Sequence, residues 1–550
     1  MSDRLFGFAL KKVEAFREFL HAQRLPEKKG ECNLDSLGVE TFGFAVIGLE
    51  CLPMSTAKKI LSNTLVQMLG RATMAVTSVV ILKAISNFLS VEGYGMYTAI
   101  YEFLAFFGIV ADLGLFTIAV REMGKGKRDR NFVAGNILGM RMMMAVIAMS
   151  LAVISAFLIP KYQETYIPVG VAIASMAVFL SIMHGTVSSV LQVELKMERA
   201  TIGIVGGKIL SLVWMLSVIF YFYADEPGAQ AFYQLLVAGV VGNLFAFLYT
   251  LRYALKYARI RPQFDKAYWR EIMVTAVPYG AALVLNMVYF RIDSIMLLFM
   301  KGPAEVGLYG VPMRILEILS VIPVYFMNSV LPVLSKAMNE GSARVKRMLQ
   351  LSFDFLFMAA FPMVVGLWIL AYPIIFLISA PDFLSNLSIG YYGSDIAMKI
   401  LVGAMFFSFM NSLFTYSLVA VNKQSHLLWI NGSAAALNVV ANLIVIPEWG
   451  FRGAAATSVF TEAYILLLAW LVARRFVEFR LNFWPFLKSA VAALLMGLVV
   501  WYLKDPTYEL WGLENLNVLL LAAVGAVVYG LLLLGMRAVP EEFMGKLRRS

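Results

Sequence analysis

The chain has 550 residues, of which 60% are hydrophobic and 15% are charged, and its formal net charge is +11. Soluble globular domains are about 45 to 50% apolar, so a chain of soluble domains is excluded and a polytopic membrane protein is predicted. Most of the Lys and Arg residues lie in short loops beside apolar runs, where they orient a membrane protein, so no nucleic-acid partner is expected.

Residues 1–59 are predicted to form a cytoplasmic N-terminal extension. Its start, RLFGFALKKVEAFREFLHAQR, has the basic amphipathic pattern of a helix on a membrane surface. A poorly ordered extension is the alternative. The apolar piece from Phe42 to Met54 is too short to span a bilayer, and no signal peptide is predicted. Cys32 and Cys51 show no metal-ligand spacing, so we expect no metal site and no cofactor.

From Thr64 onward, apolar runs of roughly 20 to 28 residues recur, each long enough to cross a hydrocarbon core of about 30 Å as a helix. Continuous runs such as VIAMSLAVISAFLIP indicate helices rather than the alternating strands of a barrel. We therefore predict an all-α polytopic fold with about fourteen transmembrane helices. The predicted starts lie near Thr64, Tyr94, Val133, Tyr166, Thr201, Gln230, Met273, Ala304, Arg347, Ile396, Leu427, Arg452, Trp484 and Asn515.

Basic residues occupy alternate connections, at 121–130, 196–199, 252–270, 336–347 and 474–480. The positive-inside rule then predicts that both termini are cytoplasmic in a cell (plasma or inner) membrane. The longest predicted external loop, SAPDFLSNLSIGYYGSD, contains no Lys or Arg. With no domain-sized loop and no acid/base or metal constellation, an enzyme such as a membrane glycosyltransferase or ligase is not expected.

Two sequence matches suggest an internal repeat. GYGMYTAIYEF opens the second span and VGLYGVPMRILE opens the eighth, so Gly95 and Tyr97 match Gly307 and Tyr309. KMERATIGIVGGK and NKQSHLLWINGSA, which enter the fifth and eleventh spans, match at a similar offset. Both matches run in the same direction, which predicts a parallel pseudo-repeat of two six-helix lobes.

This repeat divides the rest of the chain into four predicted parts. They are an N-lobe at 60–258, a basic interlobe linker at 259–272, a C-lobe at 273–480, and two further helices with a basic cytoplasmic tail at 481–550.

Several segments, in order and spacing from Lys58 to the end, resemble the Wzx-type oligosaccharide flippases. They belong to the multidrug/oligosaccharidyl-lipid/polysaccharide exporter superfamily. The segments are KKILSNTLVQMLGR, VEGYGMYTAIYEF, ADLGLFTIAVREM, YFRIDSIMLL and IPVYFMNSVLPVLS. Within them, Asp112, Gly114, Arg121 and Glu122 match the family's D-x-G…R-E pattern, and Arg291 with Asp293 matches its R-x-D.

The resemblance implies two six-helix lobes around a V-shaped cavity, with the last two helices packed beside them. It also implies transport of polyprenyl-diphosphate-linked oligosaccharide from the inner to the outer leaflet for polysaccharide biosynthesis, together with glycosyltransferases and a polysaccharide polymerase. The same superfamily holds the lipid II flippase and cation-coupled multidrug and toxin extruders, and both stay as alternatives.

Six cations lie inside predicted spans: Arg71, Arg141, Lys208, Arg291, Lys83 and Arg314. A charge near a bilayer centre costs about 2.5 to 3.5 kcal/mol on insertion scales, so such residues usually face a bundle interior or a wet cavity. We expect these six to bind the anionic headgroup of the substrate, because Arg and Lys suit phosphate oxygens.

Depth along the spans separates the six cations into two groups. Arg71, Arg141 and Lys208 lie about eight residues from the cytoplasmic end, or roughly 12 Å deep, and Asp112 reaches the same level. Three cations against one carboxylate leave an excess that a pyrophosphate would neutralise. The alternative is that these side chains pair with Asp112 or backbone carbonyls, or extend to lipid headgroups.

Nearer the outside, the charges balance, because the cations Lys83, Arg291 and Arg314 lie with the carboxylates Glu102, Asp293 and Glu317. Arg314 and Glu317 are three residues apart and can form an ion pair on one helix face, whereas Arg291 and Asp293 are two apart and should have different partners. Asp354 and Glu462 stand alone in C-lobe spans. Each is a candidate for coupling to H⁺ or Na⁺, or is a carboxylate satisfied by neighbouring hydroxyls.

Overall fold

The computed structural model describes residues 54–224, 228–340, 342–479, 481–510 and 517–539. Within these ranges the regular structure is helical, apart from one isolated bridge between Asn386 and Tyr391. The predicted all-α class is confirmed. Residues 1–53, which hold both cysteines and most of the predicted extension, lie outside the described residues.

The described part of the first half of the chain forms seven helices in six membrane-length segments, because the second and third helices belong to one segment. They are α1 (Met54–Phe88), α2 (Val91–Asp112), α3 (Leu115–Gly124), α4 (Arg130–Leu158), α5 (Ile167–Val193), α6 (Met197–Ser217, continued by a π-turn at Val218–Phe222) and α7 (Ala229–Ala254).

The second half repeats this pattern and ends in an additional helical pair. Its helices are α8 (Lys266–Met300), α9 (Pro303–Leu319), α10 (Val321–Glu340), α11 (Ser342–Ile369), α12 (Ala371–Ile378), α13 (Ser394–Ala420), α14 (Ser425–Ala473), α15 (Trp484–Leu510) and α16 (Asn517–Gly535).

Among the described residues, twelve helices are long and apolar enough to cross a membrane. One of these, α14, has 49 residues and breaks at Gly450, whose φ of 55° is not helical, so it provides two passes. The 35-residue helix α8 is a further long helix outside those twelve. Together they give about the fourteen passes predicted from hydropathy.

Local chemistry sets the ends of α2. The Ser90 hydroxyl accepts a hydrogen bond from the Gly93 amide at 3.1 Å and caps the start of the helix. At its other end, Leu113 and Gly114 take the left-handed conformation, with φ of 43° and 72°, which glycine adopts without a Cβ clash. The chain bends there into α3, and this bend leaves Asp112 at the end of α2, against α4.

The helices pack as two lobes. In the first, α1 packs on α6, α6 on α7, α7 on α5, and α5 on α4 and α2; in the second, α8 packs on α14, and α13 contacts α9, α10, α11 and α14. The last two helices lie beside the second lobe, against α11, with a small separate core that includes Met496, Val500 and Leu521. This arrangement confirms the predicted fold class.

The loops define two ends of the bundle. The basic connections predicted from the sequence lie at one end, which we call the basic face, where Arg128 pairs with Glu271 at 2.8 Å and Lys346 with Glu478 at 2.7 Å. The connections at 89–90, 159–166, 301–302 and 379–393 lie at the other end, which we call the opposite face.

At the opposite face the two lobes are in backbone contact. A Cβ added to Gly95 on α2 would lie 1.8 Å from the Pro303 carbonyl oxygen on α9, and one added to Gly307 would lie 2.4 Å from the Val91 carbonyl oxygen. The repeat-matched glycines therefore contact each other across the pseudo-two-fold axis. Small residues permit this close approach of helices in membranes.

Two lysines of the first lobe reinforce this closure. Lys83 on α1 donates to the carbonyls of Phe376 at 2.9 Å and Ser379 at 2.6 Å, at the carboxyl end of α12. Lys161 donates to the Phe299 carbonyl at 2.6 Å, at the carboxyl end of α8. Cations are favoured at helix carboxyl ends, because the last carbonyls lack intrahelical donors. The lobes are thus closed together at the opposite face.

Candidate functional site

A cavity of about 880 Å³ lies between the lobes, below the contact at the opposite face. Its wall comes mainly from α1, α2, α5, α6 and α7 of the first lobe, and the second lobe adds part of α8, α9 and Ile378. The lining combines apolar side chains with a few polar ones, as is usual in ligand sites.

Four charged residues form a network where the lobes meet at this cavity. Glu102 on α2 accepts hydrogen bonds from Arg291 on α8 and from Arg314 on α9, the latter at 3.2 Å. Glu317 pairs with the same two arginines, at 3.3 Å and 3.0 Å. We call Glu102, Arg291, Arg314 and Glu317 the charged cluster. Each carboxylate contacts both cations, so the cluster is electrically balanced.

The i, i+3 spacing of Arg314 and Glu317 had predicted their pairing, and they pair on one face of α9. The sequence did not predict Glu102 as the partner of both arginines. It is 5% exposed, and one of its carboxylate oxygens, Oε2, has no hydrogen-bond partner. Because Glu102 comes from the first lobe and both arginines from the second, the cluster connects the lobes.

Lys208 on α6 lines the same cavity. Unlike Arg291 and Arg314, it does not pair with a carboxylate of the described residues. Within the described part of the chain, its ammonium group makes no hydrogen bond and no ion pair. The lining holds three cations, Lys208, Arg291 and Arg314, against two carboxylates, Glu102 and Glu317. The described lining of the cavity therefore carries a net charge of +1.

The structure places the other three predicted cations elsewhere. Arg141 is 3% exposed within the first lobe, where it forms an ion pair with Asp112 and donates to the Thr186 hydroxyl at 2.9 Å. Lys83 bonds to backbone carbonyls at the opposite face. Arg71 is exposed on α1.

Arg71, Arg141 and Lys208 were predicted to lie at one depth around one substrate site, but the structure does not bring them together. The guanidinium of Arg71 lies 5.2 Å from the centre of the Tyr325 ring on α10 of the second lobe. Asp112 forms an ion pair with Arg141 and does not line the cavity. The net positive charge of the cavity therefore comes from Lys208 beside the charged cluster, and not from the predicted group of Arg71, Arg141 and Lys208.

Asp293, two residues from Arg291, faces a different set of partners. Its carboxylate accepts hydrogen bonds from Tyr309 at 3.0 Å, Ser458 at 2.7 Å and Asn442 at 2.6 Å. Asn442 also donates to Asn438 at 3.0 Å. These donors come from α9 and both halves of α14, so Asp293 is the centre of a buried polar cluster inside the second lobe.

The remaining two candidate carboxylates are buried in the second lobe. Asp354 on α11 is 4% exposed and accepts a hydrogen bond from Gln350 at 2.7 Å. Glu462 on α14 is 9% exposed. Neither lies among the residues that line the cavity.

Sequence reasoning missed the aromatic side of the cavity. Tyr94, Tyr97 and Tyr101 line it from α2, and the rings of Tyr97 and Tyr101 lie 5.1 Å apart. Their spacing of three and then four residues places them on one helix face, next to Glu102. The signal available in the sequence was this spacing of three tyrosines beside an acidic residue.

The chain is similar to known families and to known membrane proteins. The family model described as polysaccharide biosynthesis protein matches residues 56–338, just over half of the chain. The MatE family model matches residues 278–444. An uncharacterized membrane protein of Methanocaldococcus jannaschii is 26% identical over 346 residues, or 60% of this chain. The match spans 62% of that relative's length, less than two thirds.

Two solved structures have the same architecture. The lipid II flippase MurJ in an inward closed conformation has a TM-score of 0.67 at 14% identity, covering 86% of this chain and 98% of that chain. An inward-facing multidrug resistance transporter of the MATE family has a TM-score of 0.57 at 16% identity, covering 73% and 94% of the two chains. At these identities the likeness establishes the fold.

Proposed function

Because the chain belongs to the polysaccharide biosynthesis protein family, within the multidrug/oligosaccharidyl-lipid/polysaccharide exporter superfamily, we propose that it is a flippase for polyprenyl-diphosphate-linked oligosaccharide. It moves this lipid from the inner to the outer leaflet by alternating access, without covalent chemistry. In this proposal the basic face is cytoplasmic, the protein lies in the cell membrane, and glycosyltransferases and a polysaccharide polymerase act before and after it.

The observation that carries the proposal is the net positive charge of the cavity. Charged groups inside a membrane are costly, and they persist where they serve a pathway or a ligand. Lys208 has no carboxylate partner among the described residues, while Arg291 and Arg314 present fork-shaped donors that suit phosphate oxygens. A diphosphate supplies the negative charge that this lining lacks.

The charged cluster gives the proposal a mechanism. With the lobes closed at the opposite face, Glu102 bridges them through Arg291 and Arg314. A diphosphate that enters the cavity competes with Glu102 for the same arginines. When it takes over those contacts, one of the polar links between the lobes is released, which favours opening toward the opposite face. Binding then biases a pre-existing conformational equilibrium.

The glycan and the lipid tail need different surroundings in this mechanism. The Tyr94, Tyr97 and Tyr101 stripe offers ring faces and hydroxyl groups to sugar units near the diphosphate. The polyprenyl tail remains in the bilayer, because it gains nothing from leaving an apolar solvent.

The experiment that tests the proposal is leaflet exchange in reconstituted vesicles with a fluorescent polyprenyl-diphosphate oligosaccharide. Replacing the ammonium, Lys208→Gln, should slow exchange at least about tenfold, which corresponds to a loss of about 1.4 kcal/mol of differential binding. Lys208→Arg should retain activity. Lys127→Gln, on an exposed loop at the basic face, removes the same charge outside the cavity and should have no effect. Full exchange by Lys208→Gln would overturn the assignment of the cavity.

The MatE match over residues 278–444 supports a second candidate, a cation-coupled extruder of drugs or toxins. Such a pocket should present unneutralised carboxylates to a cationic substrate, whereas here each cavity carboxylate pairs with two arginines. The vesicle assay distinguishes the candidates by adding cationic dyes and lipid II as competing substrates. Dye efflux without lipid exchange favours the extruder, and exchange confined to lipid II favours a lipid II flippase.

A further inference from the structure

A second, smaller cavity lies at the opposite face, where the lobes meet. Its volume is about 250 Å³, room for roughly eight waters at about 30 Å³ each. One side is the 159–166 connection of the first lobe, and the other is the turn between α8 and α9 of the second lobe. The first lobe contributes Lys161 and Tyr162 to the lining, and the second lobe contributes Lys301 and Gly302. We call this the junction cavity.

The lining of the junction cavity is positively charged. It includes Lys161 from the first lobe and Lys301 from the second, and it includes no Asp or Glu. Lys161 uses part of its donor capacity on the Phe299 carbonyl. An ammonium group has three donors, so two remain for a ligand. Two cations that face a small cavity without a carboxylate favour an anion.

Tyr162 packs the 159–166 connection against the end of α8. The residue is 2% exposed, and its ring stacks on Phe299 with 5.7 Å between centroids, beside the carbonyl that Lys161 contacts. This contact between the lobes brings Lys161 and Lys301 to the same cavity.

The backbone of the second lobe leaves space beside these donors. Gly302 has a φ of 101°, and a Cβ added to it would meet nothing within 4 Å. Its amide and that of Lys301 are used by the Leu297 carbonyl at the end of α8. The side chains of Lys161 and Lys301 are therefore the charged donors that remain available here.

We propose that the junction cavity binds a phosphate group, carried by inorganic phosphate or by a lipid headgroup, and that this group holds the two lobes together at the opposite face. The site is complete only when the lobes are closed there, because each lobe supplies one of its lysines. A ligand that binds one conformation stabilises that conformation by mass action. Phosphate at this site therefore delays opening toward the opposite face, whatever the transported substrate is.

The test measures the distance between the lobes without measuring transport. Spin labels are placed at Tyr221→Cys and Leu387→Cys, exposed positions at the opposite face of the first and second lobes, in a Cys32→Ala, Cys51→Ala background. Pulsed electron paramagnetic resonance then gives the ratio of closed to open molecules. At a phosphate concentration of about twice the dissociation constant, this ratio should rise about threefold. Chloride at equal ionic strength should not change it.

Two further samples identify the source of the phosphate. One is the protein in detergent with inorganic phosphate, and the other is the protein in vesicles of phosphatidylglycerol compared with vesicles of a phosphate-free galactolipid. A response to either source supports the site and says which one occupies it. No response to either source overturns the proposal.

The variants separate the binding site from a merely structural contact. Lys161→Gln with Lys301→Gln should remove the phosphate response, whatever it does to the starting ratio, and Lys301→Gln alone should weaken the response. Lys127→Gln at the basic face should respond like the wild type. If the double variant does not fold, Lys301→Gln decides, and a response equal to that of the wild type overturns the proposal.

Discussion

Arg141 and Lys208 show how two cations that were predicted to act together have different surroundings. The carboxylate that pairs with Arg141 comes from another helix, and so does Thr186, whereas Lys208 lines the cavity. Which helix faces which is set by packing across the lobe, and hydropathy in one sequence carries little information about it. The pairing of Arg141 could therefore not be predicted from its position in a span.

Arg141 is expected to stabilise the first lobe rather than to bind substrate. Arg141→Met leaves Asp112 without its cation, and breaking such a pair should lower the free energy of unfolding by about 3 kcal/mol, the lower end for buried pairs because Asp112 is 25% exposed. The double change Arg141→Met with Asp112→Leu should recover most of that loss. Unfolding in mixed micelles measures both values.

Leaflet exchange by the same double variant separates the two roles of Arg141. If the residue is structural, the folded double variant should exchange substrate at close to the wild-type rate. A double variant that is folded but inactive would contradict this assignment and return Arg141 to the substrate site.

Asp293 is our candidate for coupling to H⁺ or Na⁺. It is 7% exposed, and its donors come from helices that belong to the second lobe alone, so its charge can influence how α8, α9 and α14 pack. Asp293→Asn should make transport insensitive to an imposed proton or sodium gradient while the protein stays folded. Vesicles with each gradient in turn measure this.

The matched change for that experiment is Asp505→Asn, which removes a carboxylate whose side chain is 86% exposed. It should leave the gradient response as it is in the wild type. An unchanged response in Asp293→Asn would exclude Asp293 and leave Asp354 and Glu462 as the coupling candidates.

At the scale of helices, the sequence was most informative about where spans begin and least informative about where they bend. Apolar length and flanking charges place the starts, since these follow from the thickness of a bilayer. The break of α2 into α3 at Leu113 and the break between α9 and α10 at Ser320 lie inside single membrane-length segments. Tertiary contacts decide such bends, so a hydropathy window does not show them.

Gly95→Ala should loosen the closure at the opposite face. The added Cβ would lie 1.8 Å from the Pro303 carbonyl oxygen, which is backbone and has no rotamer to change, so α2 and α9 must move apart. We expect more open molecules at that face, seen as faster labelling of a cysteine introduced at Tyr97. Gly530→Ala, where an added Cβ meets nothing within 4 Å, is the matched control and should label slowly.

Gly307, the residue that matches Gly95 in the repeat, provides a second test of this contact. Gly307→Ala should produce the same phenotype, and the double variant should label little faster than either single one, because both changes separate the same contact. Fully additive effects would show that the two glycines act at independent places.

At the scale of the whole molecule, the fold class followed from sequence more completely than the site did. Two lobes, a parallel repeat and two extra helices could be predicted because each depends on a pattern that spans many residues. The site depends on which of six cations reach one cavity, and only Lys208, Arg291 and Arg314 line it. The limits of the lobes, 60–258 and 273–480, remain predictions.

Transport of a diphosphate should respond to membrane potential. Exporting an anion from a cell whose interior is negative is favoured by about 2.3 kcal/mol per charge per 100 mV. An inside-negative potential across vesicles that contain the protein with its basic face inward should therefore accelerate outward exchange, and a reversed potential should slow it. Potassium gradients with valinomycin set the potential, and equal rates in both directions would show that no net charge moves.

The contacts that close the opposite face share a property that follows from their chemistry. At Gly95 and Gly307 the helix backbones contact each other directly. The rings of Tyr94 and Phe383 form an edge-to-face pair at 5.5 Å. The ammonium groups of Lys83 and Lys161 donate hydrogen bonds to backbone carbonyls. None of these groups is a carboxylate or an imidazole, the side chains that change charge between about pH 4 and 7. Acidification of the surroundings should therefore leave these contacts unchanged.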